Sequence, residues 1–328
     1  MDRDKPLIDI HCHTAGLGEG GSGCFVSPAL RKSFRYRFYL NAFGVTEQGL
    51  REEGDTLILR RLSETLEQSR RVSAAVVVAM DAVVGDNGEP DETATEIYIP
   101  DEFIARETRR YPNLLFGASV NPCRRDAMRR LDSAVENGAV LLKWLPSIQH
   151  IDPADPRLVP FYLRMKELGL PLLSHTGSER SFTRARDELS DPERLRLPLS
   201  LGLTVIAAHA GGGGRSMGKA NHERFLRLLN DYPNLYADIS ALTQINRPGH
   251  LARVVRRREL HGRLLYGTDM PLINMCITTP FAFPLRLSLW RMFAVSRIAN
   301  PWDRDVALKE MLGLGEEMLG DAGTLLGI

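Results

Sequence analysis

Cysteine is scarce and scattered in this sequence. Its 328 residues include Cys12, Cys24, Cys123 and Cys276, and no two of them form a C-x-x-C pair. This spacing excludes a disulfide-rich scaffold and a thiolate zinc knot, so we expect free thiols. Cys12 lies between two histidines, and strand alternation predicts that it faces away from them into the packing between sheet and helices.

A net charge of one sign and long apolar runs are also lacking. Lys and Arg number 42 against 41 Asp and Glu, so we expect no general electrostatic attraction to nucleic acid or to an anionic membrane. The opening MDRDKP is charged, no secretory apolar segment follows it, and the apolar runs are too short to cross a bilayer. We therefore expect a cytoplasmic protein that acts on a small-molecule substrate.

Short, nearly continuous apolar runs do recur, and helix-length segments such as DEFIARETRRY and HERFLRLLNDY separate them. The eight runs are residues 7–13, 73–80, 114–121, 139–146, 170–176, 203–210, 234–240 and 263–271. Such runs are typical of parallel strands that are buried on both faces. The pattern predicts an α/β fold, a single (β/α)8 TIM barrel, with a doubly wound open sheet as the alternative.

The sequence predicts one domain of residues 1–328. Two of its segments are longer than the connections that a minimal barrel needs. Residues 14–60 follow the first strand and include GLGEGGSG and RKSFRYRFYLNAFG, which we interpret as a long irregular loop that forms a lid. Residues 272–328 form a loop that precedes a pair of predicted C-terminal helices. Within this segment the apolar FAFPLRLSLWRMF could be the interface of a homodimer.

Histidine, lysine and aspartate side chains fall at the ends of the predicted strands. His11 and His13 are two residues apart in the first strand, so their rings point the same way and can hold one ion. The others are Lys143 near the end of the fourth strand, and His175, His209 and Asp269 at the ends of the fifth, sixth and eighth. A barrel brings these ends together, and imidazole with carboxylate suits zinc, with manganese, iron or nickel as alternatives.

The remaining histidines are expected to be solvated. They are His150, His222, His250 and His261, and they fall in predicted loops or helices. His150 alone stays a candidate for the site, because PSIQHIDP belongs to the loop after the fourth strand. The glycines of AAHAGGGGRS are not followed by the Lys-Ser/Thr of a P-loop. We interpret them as letting the backbone pass close to His209 and the substrate, with a flexible turn as the alternative.

The order of these residues resembles the amidohydrolase superfamily of metal-dependent hydrolases. The resemblance rests on H-x-H in the first strand, Lys in the fourth, His in the fifth and sixth, and GTD in the eighth. The strings IDIHCHT, AAHAGG and LYGTDMP are similar to the amidohydrolase-2 branch, which includes aminocarboxymuconate-semialdehyde decarboxylase. The resemblance spans residues 7–271.

The resemblance implies a role for each residue. His11, His13 and Asp269 would hold the more buried metal, and His175 would be a ligand whether one or two ions are bound. His209 would bind a second metal or polarise the substrate.

Lys143 has two interpretations. A protonated lysine cannot ligate a cation, but the resemblance to dihydroorotase at LLKWLPS implies a carboxylated Lys143 that bridges two ions. With one ion, Lys143 would be a charge partner in the pocket.

The chemistry expected of such a site involves one carboxylate and several substrate contacts. Asp269 is placed to take a proton from water and to return it to the leaving group. Side chains beside the strand ends are candidates for substrate binding, namely Trp144, Glu179, Arg180, Arg215 and Asn274.

Three functions fit the sequence. The first is a metal-dependent hydrolase that cleaves an amide, lactone, ester or related bond. The second is a non-oxidative decarboxylase of a carboxylated aromatic or enoic acid. The third is a metal-holding protein without catalysis, which the open ligand set and the predicted lid disfavour.

Overall fold

Eight parallel strands form the central sheet in the computed structural model, which describes residues 7–247 and 249–328. Each strand pairs with the next one along the chain. The sheet closes where Ile10 N donates to Tyr266 O at 3.1 Å and His13 N donates to Met270 O at 3.1 Å. The predicted (β/α)8 barrel is thereby confirmed. The strands are β1 Leu7–His13, β2 Val72–Val78, β3 Leu114–Ala118, β4 Ala139–Trp144, β5 Leu172–Ser174, β6 Val205–Ala207, β7 Leu235–Asp238 and β8 Leu264–Leu265.

Helices surround this sheet, and several of them bury one apolar face, as α10 does with Phe225, Leu228 and Leu229. The helices predicted between the strands and at the C-terminus are confirmed. They run as α1 Pro28–Lys32, α2 Phe34–Ala42, α3 Glu47–Glu53, α4 Thr56–Glu67, α5 Asp101–Thr108, α6 Ala127–Glu136, α7 Pro146–Gln149, α8 Val159–Glu167, α9 Arg196–Ser200, α10 Asn221–Asp231, α11 His250–Val255, α12 Leu289–Ser296, α13 Pro301–Met311 and α14 Ala322–Leu326.

The side chains of β1 do not alternate regularly between the inside and the outside of the barrel. Ile10 packs in the apolar cluster inside the barrel, whereas Cys12 packs in the cluster between sheet and helices. The register of β1 against β2 shifts between Asp9 and Cys12, which marks a bulge. Because of this bulge, Ile10 fills the barrel floor while His11 and His13 still point into the barrel.

Residues 28–53 in the segment after β1 form helices α1 to α3, where the sequence predicted an irregular loop. Local capping explains the difference, because Ser27 Oγ accepts a hydrogen bond from Leu30 N and Pro28 occupies the first turn of α1. Thr46 Oγ1 accepts from Gly49 N at the start of α3. The basic, aromatic stretch therefore forms α2, which packs over the mouth of the barrel.

The C-terminal helix α13 is joined to the barrel by buried polar contacts. Trp302 Nε1 donates to Asp9 Oδ2 at 2.9 Å, and Thr268 Oγ1 donates to the same oxygen at 2.6 Å. Burial raises the pKa of Asp9 to about 6 despite these hydrogen bonds. Asp9 thus links α13 to β1 and to the segment after β8, directly beneath His11.

Predictions about cysteines and solvated histidines have different outcomes. The four cysteines are free, and Cys12 is fully buried as expected. His222 and His250 are buried, so their predicted solvation is wrong, because α10 and the start of α11 pack their rings together at 4.8 Å.

In the part of the chain that the structure describes, no helix has the length and apolarity to cross a membrane.

Candidate metal centre and active site

The carboxyl end of the barrel brings together three ligand atoms from β1 and from the segment after β8. His11 Nε2 lies 3.1 Å from His13 Nε2 and 3.5 Å from Asp269 Oδ1, and His13 Nε2 lies 3.2 Å from that oxygen. Ligands of zinc or a similar ion lie about 3.0–3.5 Å apart, because each bond to the ion is about 2.1 Å. The three residues therefore fit one divalent ion.

Lys143, His175 and His209 surround this triad from β4 and from the segments after β5 and β6. Lys143 Nζ lies 2.8 Å from His11 Nε2, and His209 Nε2 lies 3.2 Å from His175 Nδ1. His209 Nε2 is also 3.9 Å from Asp269 Oδ2. His175 Nε2 is buried with no hydrogen-bond partner among the described residues, which is typical of a nitrogen placed for a ligand. The structure thus brings all six predicted metal ligands together.

Asp238 at the end of β7 belongs to the same site, and the sequence reasoning did not select it. Its Oδ2 accepts from His11 Nδ1 at 2.7 Å, and its Oδ1 accepts from His209 N at 2.7 Å and from Ser240 Oγ at 2.6 Å. A carboxylate on one imidazole nitrogen leaves the other nitrogen free for a metal. The position of Asp238 at a strand end was the signal that could have found it.

Ser240 fixes the tautomer of His209. His209 Nδ1 lies 3.1 Å from the carbonyl oxygen of Ser240, which can only accept, and 2.8 Å from Ser240 Oγ. The proton of the neutral ring is therefore on Nδ1, and the lone pair of Nε2 faces the site.

Unusual backbone conformations present two of these side chains. His209 has φ 61° and Asp269 has φ 59°, in the left-handed region that L-residues rarely adopt. Asp269 is held there by its N–H, which donates to His11 O at 2.9 Å. A Cβ on Gly212 would lie 2.0 Å from Thr176 O, so the glycines after β6 permit close packing against the segment after β5.

The electrostatics of the cluster keep the ligands in their metal-binding forms. Burial, together with the charge of Lys143, lowers the pKa of His11 to about 4, and burial lowers the pKa of His209 well below its ordinary value. Burial alone would raise the pKa of Asp269, but His11, His13 and His209 hold it well below its usual range. Burial also lowers the pKa of Lys143 to about 8.

Two cavities meet at this cluster. One is mainly apolar and extends under α1 and α2, with Leu30, Tyr36, Leu40 and Phe43 in its wall. The other is mainly polar. The residues that line both cavities are Tyr39, His175, Glu179, Ser181, Asp269 and Leu272.

The predicted substrate contacts divide between the cavities and other parts of the molecule. Glu179 lines both cavities and Arg180 lines the polar one. Asn274 Nδ2 donates to Ala42 O at 2.9 Å and so ties the end of α2 to the loop after β8.

Trp144 and Arg215 lie outside both cavities. Trp144 follows Lys143 in the strand and therefore points outward, where its Nε1 donates to Val120 O at 2.8 Å. The exposed Arg215 side chain donates to Gly218 O at 2.6 Å within its own hairpin. Neither side chain contacts the cluster, although the backbone carbonyl of Trp144 accepts from His175 N at 2.9 Å.

The amidohydrolase family model matches residues 8–289, so the chain belongs to the amidohydrolase family. It is an enzyme of a family whose fold serves both hydrolases and decarboxylases. No curated protein sequence matches the chain.

Solved structures share the fold at low sequence identity. An uncharacterized TIM-barrel protein from Bordetella bronchiseptica has 18% identity and a TM-score of 0.57, and the match covers 93% of this chain and 100% of that one. A Pseudomonas putida protein, provisionally assigned as a 2-pyrone-4,6-dicarboxylic acid hydrolase, has 16% identity, a TM-score of 0.51 and coverage of 98% and 97%. A 5-carboxyvanillate decarboxylase from Novosphingobium aromaticivorans, complexed with manganese and a nitrobenzoic acid derivative, has 12% identity, a TM-score of 0.50 and coverage of 99% and 97%.

Proposed function

We propose that this protein is a metal-dependent hydrolase that cleaves an amide, lactone, ester or related bond of a small molecule. The observation that carries the proposal is the convergence of His11, His13 and Asp269 within 3.5 Å of one another at the junction of two cavities. When bound there, a divalent ion acidifies water and polarises a carbonyl oxygen.

Asp269 has the role of proton acceptor and donor in this reaction. Its pKa is held low, so its carboxylate is available to accept a proton from the attacking water. The water oxygen bonds to the carbonyl carbon, the bond to the leaving nitrogen or oxygen breaks, and Asp269 returns the proton to the leaving atom. The atoms of one water molecule are thereby divided between the two products.

We propose that the site holds two ions, with zinc favoured and manganese, iron or nickel as alternatives. The Nδ1–H of His209 is engaged by Ser240, so its Nε2 can serve as a ligand beside His175. Lys143 would bridge the ions as a carbamate, because its amine can add to carbon dioxide to form an N–C bond with loss of a proton. With one ion, Lys143 is a charge partner and His209 polarises the substrate.

A second candidate is decarboxylation, and the fold shared with the manganese-bound carboxyvanillate decarboxylase favours it. In that reaction the bond between a carboxyl carbon and the substrate breaks, carbon dioxide leaves and a proton takes its place. Release of carbon dioxide without consumption of water would select this function over hydrolysis.

Elemental analysis of the purified protein, expressed with bicarbonate, tests the metal arrangement. We expect near two ions per chain for the wild type and fewer for Lys143→Ala. Near one ion in both proteins would reject the carbamate bridge and place the decarboxylase on an equal footing. A chain without metal, and without activity after metal is added, would contradict the proposed hydrolysis.

A further inference from the structure

The polar cavity contains a cationic side chain that the metal cluster does not use. Arg247 lies in the loop after β7, and its Nη1 is buried without a hydrogen-bond partner among the described residues. A buried guanidinium nitrogen that lacks an acceptor costs free energy, and an anion that supplies two acceptor oxygens would recover it. Neither the sequence reasoning nor the metal chemistry gives Arg247 a role.

The surroundings of Arg247 suit the carboxylate end of a small molecule. Gln244 and Asn246 come from the same loop, and Ser178 and Arg180 come from the segment after β5. These side chains supply amide, hydroxyl and guanidinium donors. Glu179 and Asp269 are the carboxylates among the described lining residues, so the anion would bind at the part of the cavity that these donors line.

The apolar cavity borders the same cluster, because His175 and Asp269 line both cavities. Its wall includes Leu17, Leu40, Phe43, Met80 and Leu145, and its polar lining comes from the cluster, from α2 and from the segments after β1 and β5. A hydrocarbon or aryl arm would be removed from water there at a gain of about 0.8 kcal/mol per methylene. Tyr39 and Leu272 line both cavities, so one molecule can extend through the junction past Asp269.

We propose that the substrate is an anionic amphiphile in which the labile bond separates an apolar arm from a carboxylate, and that Arg247 binds this carboxylate. An amide or ester between an apolar acid and a carboxylate-bearing amine or alcohol has this form. The inference rests on the proposed hydrolysis for the position of the labile bond, whereas the binding of the two ends does not depend on it.

The test compares N-phenylacetylglycine with its uncharged analogue N-phenylacetylglycinamide. Binding to the purified holoenzyme is measured by calorimetry, and turnover is followed separately. We expect the acid to bind more tightly than the amide, and Arg247→Gln to weaken the acid about 10- to 100-fold while weakening the amide much less, because a neutral amide oxygen accepts a weaker hydrogen bond from a guanidinium. In a series of N-acylglycines, affinity is expected to rise about three- to fourfold per methylene.

The controls separate Arg247 from general effects of charge and folding. Arg256→Gln removes an exposed guanidinium near the end of α11, outside both cavities, and is expected to change neither affinity. Thermal unfolding of Arg247→Gln checks that the fold is retained.

Each outcome separates this inference from the proposed hydrolysis. Equal effects of Arg247→Gln on acid and amide would overturn the inference, because the carboxylate would then lie elsewhere, on the metal for example. Failure of every probe to bind would also overturn it. Binding that depends on Arg247 but without turnover would retain the subsite and reject the hydrolysis of this bond. Turnover of both probes with no effect of Arg247→Gln would retain the proposed hydrolysis and reject the Arg247 subsite.

Discussion

His11 has partners in the cluster on both of its ring nitrogens. Its Nδ1 is held by Asp238, and its Nε2 faces His13, Lys143 and Asp269. A side chain fixed at one nitrogen loses little conformational freedom when the other nitrogen binds a metal. Single substitutions in the cluster can therefore measure what each side chain contributes to metal binding and to turnover.

Asp269→Asn keeps the shape of the side chain and removes its charge and its proton-accepting capacity. We expect kcat/KM to fall about 10²- to 10⁴-fold with the fold retained, and His11→Ala to lower the metal content as well. Steady-state kinetics, metal analysis and circular dichroism provide the measurements. His261→Ala is the matched control, because His261 is outside the cluster and its Nε2 donates to Val255 O at 3.0 Å. Normal turnover by Asp269→Asn would contradict the proposed role.

At the scale of elements, helices α10 and α11 bury a pair of histidines away from the cluster. Burial, with the charges of His222, Arg247 and Arg253, lowers the pKa of His250 to about 3. Burial likewise lowers the pKa of His222. The folded protein therefore holds both rings neutral under conditions in which an unfolded chain would protonate them.

This pair predicts a loss of stability at acid pH. Because the folded pKa of His250 is below its unfolded value of 6.5, the unfolded state binds more protons as pH falls from about 6.5 toward 3. We expect the free energy of unfolding to fall by up to about 1.4 kcal/mol per pH unit in this window from His250 alone. Chemical denaturation of wild type and His250→Gln between pH 7 and 5 measures it. Equal slopes for the two proteins would show that His250 does not contribute.

The elements around the cluster also show which parts of the fold could be predicted from the sequence. The eight strands and the amphipathic helices were predictable because their periodicity is local, and so was the placement of ligands at strand ends. The helical form of the segment after β1 was not predicted. Its capping residues Ser27 and Thr46 are single polar side chains in a stretch whose glycines and mixed aromatic and basic residues indicated a loop.

At the scale of the whole molecule, an apolar surface lies in the C-terminal segment. Leu285 is 98% exposed and Trp290 is 77% exposed, and the exposed Phe293 on α12 packs edge-to-face on Phe281. Exposed large apolar side chains that lie close together can mark an interaction site. The homodimer that the sequence suggested for this segment stays a prediction.

Light scattering of wild type and Trp290→Glu checks the dimer. We expect the wild type to have twice the mass of the chain at micromolar concentration and the variant to be monomeric, because a carboxylate buried in an apolar interface is strongly disfavoured. Leu163→Glu, on the exposed side of α8, is the control for added charge. A monomeric wild type would reject the dimer.

The sequence by itself determined the barrel and the identity of the candidate ligands, because strand periodicity and residue type at strand ends are properties of short segments. Only the tertiary structure decided how they meet. A bulge in β1 turns both Ile10 and His11 into the barrel, and Asp238, far along the chain, orients His11. Trp144 points outward and Arg247 comes to line the polar cavity. These features depend on contacts between distant segments, which local periodicity does not encode.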